Sequence, residues 1–331
     1  MRPAISPLTN RSVLVTGGTG SFGSAFVRHA LDVGVKRIAV LSRDELKQSQ
    51  MRAALNDPRV RFYPRDITGD MALLTMAMRD VDFVIHAAAM KQIDTCELNP
   101  NESEKINVMG SRQVAMAAIE AGVERAVFLS SDKAAAPNTL YGAHKMSAER
   151  AWNQANVYAA GTKTRLCATR YGNVIESRGS VIPVWKKQVA NGDPITITDP
   201  AMTRFFMPLA DSVSLVELAL SRSRGGEVFI PTVKAASIPT LARAVVPDGW
   251  PHVIMGIRRG EKMHEMLIAE DEARDSFYNG THYTIEPERS WEYLPPPDGE
   301  PLPAGFTLRS DTAPQLSVAE LKALIEPMEA V

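Results

Sequence analysis

Cysteine is scarce in this 331-residue chain, which has only Cys96 and Cys167. Two thiols cannot supply a disulfide framework, and six scattered histidines form no H-E-x-x-H or comparable cluster. Neither a metal nor a disulfide is expected. Cys167, in the apolar run Thr164-Arg165-Leu166-Cys167-Ala168-Thr169, reads as a small buried hydrophobe, whereas Cys96 lies in a polar stretch. Charge of one sign is not in excess: Lys and Arg number 37 against 38 for Asp and Glu. That balance gives no electrostatic case for nucleic acid or an anionic membrane, so a small molecule is the expected substrate. Long apolar runs are absent as well. Nothing approaches the roughly 18 residues a membrane-spanning helix needs, and the first ten residues show no signal pattern. A soluble, cytoplasmic protein without internal repeats is expected.

What is present is a regular alternation of short apolar runs and amphipathic segments, the pattern of βαβ units. Strands are predicted at Ser12-Val13-Leu14-Val15-Thr16, Arg37 to Leu41, Val60 to Tyr63, Val81 to His86, Arg125 to Ser130, around Cys167 and at Val228-Phe229-Ile230. Helices are predicted after the first strand to about Val33, after Asn107, from Tyr141 to about Tyr158, and from a cap at Asp211 to about Ser221. The fold class is therefore α/β, a Rossmann-like doubly wound parallel sheet of about seven strands with a smaller, interleaved substrate domain. The expected division is a flexible 1–10, a cofactor domain of 11–173 and 207–235, and a substrate domain of 174–206 and 236–331. Leu294 to Gly305, with three consecutive prolines, reads as extended loop. Ser317-Val318-Ala319-Glu320 is a capping box opening a last short helix.

Thr16-Gly17-Gly18-Thr19-Gly20-Ser21-Phe22-Gly23 follows the first strand and opens a helix. Gly17, Gly20 and Gly23 are spaced for a tight turn, a close backbone approach to pyrophosphate at the helix amino terminus, and close helix-sheet packing. The end of the second strand reads Leu41-Ser42-Arg43-Asp44-Glu45-Leu46-Lys47. Serine stands where an acid would bind a ribose 2′-hydroxyl, and Arg43 and Lys47 offer two cations for a 2′-phosphate, so NADP is the expected cofactor. Asp66 is placed to accept a hydrogen bond from the adenine amino group or to cap a turn.

The strand from Arg125 ends in Ser131-Asp132-Lys133, followed eight residues later by Tyr141-Gly142-Ala143-His144-Lys145. Carboxyl ends of parallel strands hold ligands in such folds. Tyr141 and Lys145 are four apart on a helix and share a face, so the ammonium can stabilise a tyrosinate below its free pKa of about 10. Asp132 supplies an acid and Lys133 a candidate base. Burial and neighbouring Lys145 would both push Lys133 down toward a neutral amine, but a Lys133 firmly paired with Asp132 would stay charged and be a poor base.

On these residues the chain resembles the extended short-chain dehydrogenase/reductases, and within them the inverting UDP-N-acetylglucosamine 4,6-dehydratases of pseudaminic acid and flagellin-glycan pathways. The matching stretches include the glycine loop, Ser42 to Gln48, Asp80 to Lys91, Ser131 to Ala134, Leu140 to Lys145, Arg170-Tyr171-Gly172-Asn173-Val174, Ser177 to Val181, Met202-Thr203-Arg204-Phe205 and Arg259-Gly260-Glu261-Lys262. The likeness runs from about residue 10 to 270. It implies that Tyr141, assisted by Lys145 and Ser131, takes the C4 hydroxyl proton as hydride leaves C4. Lys133 would then remove the C5 proton, and Asp132 would protonate the departing C6 hydroxyl. It also implies that Thr19, Ser21, Phe22, Ile67, Ala87, Ala88 and Ala89 line the cofactor, and that Asn173, Arg204 and Arg258 meet the substrate; Lys91, on the loop after the fourth strand, faces the same crevice by the strand-end rule. A homo-oligomer, dimer or hexamer, is implied through the helices after Asn107 and from Tyr141. Gln92, Asp94 and Glu176 depart from the family pattern in segments expected near the sugar. Competing readings are a retaining 4,6-dehydratase or a 4-epimerase for another nucleotide sugar and, more distantly, a non-catalytic NADP sensor.

Overall fold

The computed structural model describes residues 6–175, 179–287 and 297–326. Its first half follows the alternating pattern: Ser12–Thr16 (β1), Ser21–Asp32 (α1), Arg37–Ser42 (β2), Glu45–Leu55 (α2), Val60–Pro64 (β3), Met71–Ala77 (α3) and Phe83–His86 (β4). Asp44 and Asp70 start α2 and α3 by accepting from the amides of Lys47 and Ala72. Ile93–Leu98 (α4) and Pro100–Glu104 (α5) lead through a π-helical turn at Lys105–Gly110 into Ser111–Glu120 (α6). The helix predicted after Asn107 thus starts earlier and is widened at that turn. Here the Asn107 side chain accepts from the Met90 amide and donates to its carbonyl, at 2.8 and 3.0 Å, pinning the loop after β4. Arg125–Leu129 (β5), a single 3₁₀ turn at Asp132–Ala134, Leu140–Gln154 (α7) and Arg165–Thr169 (β6) follow.

The chain then crosses between lobes. Asn173–Val174 (β7), Val181–Ala190 (α8), Ile195–Ile197 (β8) and Thr203–Met207 (β9) belong to the smaller lobe, and Leu209–Arg222 (α9) and Val228–Pro231 (β10) return to the sheet. Pro208, not Asp211, occupies the N-cap of α9; Asp211 lies in its first turn, where a carboxylate suits the helix dipole. Ala235–Ser237 (β11), Ile238–Val245 (α10), His252–Ile254 (β12), Met266–Ile268 (β13), Ser276–Tyr278 (β14), His282–Ile285 (β15), Glu300–Pro301 (β16), Leu308–Arg309 (β17) and Val318–Ile325 (α11) complete the chain. Ser317 and Glu320 form the expected capping box on α11.

The large sheet has the order β3-β2-β1-β4-β5-β6-β10-β15-β14-β16. Seven strands, β3 through β10, are parallel as predicted. Alternate residues feed opposite faces: Leu14, Ala39 and Leu41 join one core, while Val13, Val15, Ile38 and Val40 join the other. Three antiparallel strands, β15, β14 and β16, extend the sheet. The sequence assigns this segment to the substrate domain; two to four residues per strand, rich in Tyr, His and Thr, carry no readable period. Within the expected loop, Glu300–Pro301 is an edge strand, and residues 294–296 lie outside the described residues.

The smaller lobe has its own core, in which Trp185, Ile195, Ile197, Phe206, Leu241 and Leu321 pack together. The predicted flexible 1–10 needs correction for its described part. Leu8 is fully buried, and Thr9 donates to the Val33 carbonyl at 2.9 Å. Burying one leucine contributes roughly 1.5–3 kcal/mol, enough to hold so short a segment against the sheet.

Candidate active site

One cavity of about 1190 Å³ runs along the carboxyl ends of β1, β2, β4, β5 and β6 and under the smaller lobe. That is above the roughly 300–1,000 Å³ of a site for one drug-sized ligand, and it suits two ligands side by side. Every catalytic, cofactor-binding and substrate-binding residue named from the sequence lines it.

At one end lies the glycine loop. A Cβ on Gly17, whose φ is +65°, would stand 2.7 Å from the Ala88 nitrogen, and one on Gly23 would stand 2.5 Å from the Gly18 Cα. Backbone meets backbone at both points, so only glycine lets the loop fold tightly under the start of α1. No side chain caps α1 at Gly20, which leaves its first amides directed at the cavity. This cradle fits the pyrophosphate of a dinucleotide. Thr19, Ser21, Phe22, Ile67, Ala87, Ala88 and Ala89 complete its walls.

At the far end of the cradle, Ser42 shares a 2.8 Å hydrogen bond with Thr19. Gln48 donates to the carbonyls of Ser42 and Tyr63 at 2.7 and 2.9 Å, tying the ends of β2 and β3 together. Arg43 pairs with Asp66 at 3.4 Å and Lys47 with Asp44 at 2.8 Å, all partly exposed. Asp66 also accepts from the amide and hydroxyl of Thr68, so it closes a turn, one of its two expected roles. Burial would raise its carboxyl, yet these hydrogen bonds and Arg43 hold it below the ordinary value. Arg65, not singled out from the sequence, adds a third cation to this wall. Its place beside Asp66 after β3 was the available signal.

The reacting end is built where β5 gives way to the 3₁₀ turn. Ser131 opens the turn; its hydroxyl donates to Asp132 Oδ1 at 2.8 Å. Lys133 Nζ reaches the same oxygen at 2.9 Å, while Asp132 Oδ2 has no hydrogen-bond partner among the described residues. The Asp132 side chain is 1% exposed and that of Lys133 23%. Gly142 lets α7 press on this turn, since a Cβ there would be 2.5 Å from the Lys133 carbonyl oxygen. Tyr141 is thereby fixed beside the pair. Thr139 caps α7 by accepting from the Gly142 amide.

Charge in this cluster differs from expectation at two residues. Burial alone would lower Lys133, but Asp132, Glu265 and the Asp132 hydrogen bond outweigh it and hold Lys133 above the ordinary lysine range. It is an ammonium at rest, the paired state that the sequence leaves open. Burial pushes the Tyr141 phenol up to about 12, opposed by the Lys133 charge and a Ser131 hydrogen bond. Lys145 does share the Tyr141 face, but its Nζ donates to the Leu129 carbonyl at 2.6 Å and sits 3.9 Å over the Phe128 ring. Burial pulls it down to about 7. The cation that favours a tyrosinate in this structure is therefore Lys133.

Beneath the site, His86 is buried between Thr16 and Ser111, at 2.6 and 2.9 Å, and is stacked on Trp152. Burial pushes it down to about 3, so it is a neutral spacer. Arg170 joins Glu149 of α7 to Glu272, with contacts of 2.5–3.1 Å, and locks β6 to the chain after β13.

On the substrate side, Arg204 donates to the carbonyls of Thr203 and Met263 at 2.8 and 3.1 Å and lies 3.8 Å from Glu265. Asn173 lies on β7, and Lys91 and Arg258 lie on the exposed rim. Gln92 lines the cavity, whereas Asp94, exposed in the first turn of α4, is not among its lining residues. Glu176 lies outside the described residues. Sequence reasoning missed Glu265 and Lys262, whose positions follow from the fold of the segment after Arg258. Both cysteines are buried free thiols. Among the described residues no helix is long and apolar enough to cross a membrane, and no group of His, Cys, Asp and Glu is arranged for a metal.

Residues 13–287 match the family described as "Polysaccharide biosynthesis protein". A UDP-N-acetylglucosamine 4,6-dehydratase (inverting) of Campylobacter jejuni subsp. jejuni is 41% identical over 330 residues, covering 96% of this chain and 98% of that one. A UDP-glucose 4-epimerase of Rickettsia conorii is 42% identical over 271 residues, covering 80% and 79%. Among solved structures, Pen from Bacillus thuringiensis matches with a TM-score of 0.90 at 32% identity, covering 98% of this chain and 100% of that one. DesIV, a dTDP-glucose 4,6-dehydratase of Streptomyces venezuelae solved with NAD bound, matches with a TM-score of 0.67 at 25% identity, covering 76% and 86%. The chain thus belongs to the polysaccharide biosynthesis protein family and has the extended short-chain dehydrogenase/reductase fold.

Proposed function

We propose that this protein is an NADP-dependent nucleotide-sugar 4,6-dehydratase acting on UDP-N-acetylglucosamine with inversion at C5, giving UDP-2-acetamido-2,6-dideoxy-β-L-arabino-hex-4-ulose. The observation that carries the reading is the Lys133–Asp132 contact of 2.9 Å beside Tyr141 at the end of β5. The bound nicotinamide supplies a hydride acceptor for C4 and returns that hydride at C6. Tyr141 takes the proton of the C4 hydroxyl, and the resulting ketone acidifies the proton at C5. Moving one proton from Lys133 Nζ to Asp132 Oδ1 turns the resting ion pair into an amine and a carboxylic acid. The amine then takes the C5 proton, and the acid protonates the C6 oxygen, so that the C6–O bond breaks and water leaves. C5 is then protonated on the face opposite the one that lost its proton, which completes the inversion.

Arg204, Arg258, Lys91 and Asn173 would hold the nucleotide diphosphate, where guanidinium forks suit phosphate oxygens. Ser42 with Arg43, Lys47 and Arg65 supports NADP over NAD. Exposed apolar side chains on the flanking helices, Leu98, Met109 and Met116 among them, support a homo-oligomer, and the family supports a place in polysaccharide synthesis, which we place in the cytoplasm. A second reading, a 4-epimerase, is favoured by the Rickettsia relative's name. An epimerase returns hydride to C4 and has no use for an acid and a base at C6 and C5.

Incubation with UDP-N-acetylglucosamine in deuterated water, followed by NMR, separates the two. Deuterium at C5, a new C6 methyl group and inverted C5 are expected. A 4-epimer that keeps its C6 oxygen would refute the dehydratase reading.

A further inference from the structure

We propose that Glu265 is a positioning residue of this site, sharing the Lys133 ammonium with Asp132 and so setting where it stands and how readily it releases its proton. The proposal rests on the dehydratase reading. Glu265 precedes β13, and its side chain is only 5% exposed. Its Oε1 lies 3.6 Å from Lys133 Nζ and 3.8 Å from Arg204 Nε, and its Oε2 lies 4.0 Å from Lys262 Nζ. Oε2 has no hydrogen-bond partner among the described residues. Lys262 is itself anchored by donating to the Ala135 carbonyl at 2.6 Å, just beyond the catalytic turn. A buried carboxylate keeps its charge only beside cations, and here three converge on one.

The arrangement answers a problem in the chemistry. Once Lys133 has given its proton to Asp132, charge no longer holds the two together. Glu265 takes no part in that transfer, so its carboxylate, 3.6 Å from Nζ, stands ready for the ammonium that forms when the amine takes the C5 proton. Lys133 and Glu265 also line a second cavity of about 140 Å³, room for water beside the nitrogen. The charged and titratable groups facing Lys133 are Asp132 on its own turn, Tyr141 on α7, and Glu265 and Lys262 from the segment before β13; Arg204 on β9 faces Glu265. Among these, Glu265 raises Lys133 while burial lowers it.

The test measures C5 solvent exchange against pH in the full chain with NADP and UDP-N-acetylglucosamine, for wild type, Glu265→Gln and Glu265→Asp. Neutral glutamine removes one negative neighbour, so the amine forms at lower pH. The acidic midpoint of the exchange profile should fall by about one unit, a tenfold gain in the amine fraction at fixed pH on that limb. The aspartate variant keeps the charge at a greater distance and should fall between the two. The midpoint of C4 oxidation, read from reduced-nicotinamide absorbance, should stay with Tyr141, and KM is read separately because Arg204 loses a neighbour. If Glu265→Gln does not fold, a lowered midpoint in Glu265→Asp carries the proposal, and an unmoved one overturns it. Unmoved midpoints in both variants, with all steps slowed alike, would reduce Glu265 to a structural residue. Absence of C5 exchange in the wild type would overturn the dehydratase reading and this proposal with it.

Discussion

Replacing Lys133 with Met tests the ion pair and the base together. Asp132, 1% exposed, accepts from Lys133 at 2.9 Å and from Ser131 at 2.8 Å. The substitution leaves a buried carboxylate with one hydroxyl donor. Breaking a fully buried pair costs roughly 3–5 kcal/mol; Lys133 is 23% exposed and Ser131 remains, so a loss of about 2–3 kcal/mol is expected at neutral pH. Urea denaturation of both proteins at neutral pH measures it. In the chemistry, C5 exchange should fall by about 10²–10⁴, the usual contribution of a positioned base, and by more than C4 oxidation, which slows because Tyr141 loses the cation that favours its tyrosinate. Unchanged stability would refute the account of the pair. Unchanged C5 exchange would refute the base.

Tyr141→Phe should abolish C4 oxidation, so that mixing with substrate produces no reduced-nicotinamide absorbance; absorbance at the wild-type rate would remove Tyr141 from the first step. Ser42→Asp places a carboxylate beside Thr19, where a 2′-phosphate would lie, and should shift preference from NADP to NAD by at least about tenfold by calorimetry. Gly23→Ala puts a Cβ 2.5 Å from the Gly18 Cα and 2.6 Å from the Gly17 oxygen, so cofactor affinity should collapse and stability fall by about 1–3 kcal/mol, read by thermal denaturation with and without cofactor. Light scattering at micromolar concentration should show a dimer or larger assembly, and a monomer would contradict the homo-oligomer.

Much of this protein is local in origin and therefore legible in one dimension. Six of the seven parallel strands are short apolar runs buried on both faces, the edge strand β3 being only partly covered, and Gly20 and Gly23 owe their spacing to backbone contacts within one turn. Tyr141 and Lys145 share a face because of the helical period alone, and Ser131, Asp132 and Lys133 are neighbours in the chain. Other features exist only once distant segments meet. Strand β15 joins the sheet by pairing with β10 across a gap in sequence, and β14 and then β16 add on beyond it, with no period of their own to announce it. Glu265 reaches Lys133 across more than a hundred residues, and Lys145 turns to the Leu129 carbonyl because packing puts β5 beneath α7. The charge states followed those contacts. Lys133 is an ammonium because two carboxylates from different parts of the chain outweigh its burial, whereas Lys145, more deeply buried and with a weaker carboxylate influence, is pulled down to about 7. Residue types name the acid and base available; only the tertiary fold decides which of them carries the proton, because that depends on distances and solvent exclusion that no local pattern encodes.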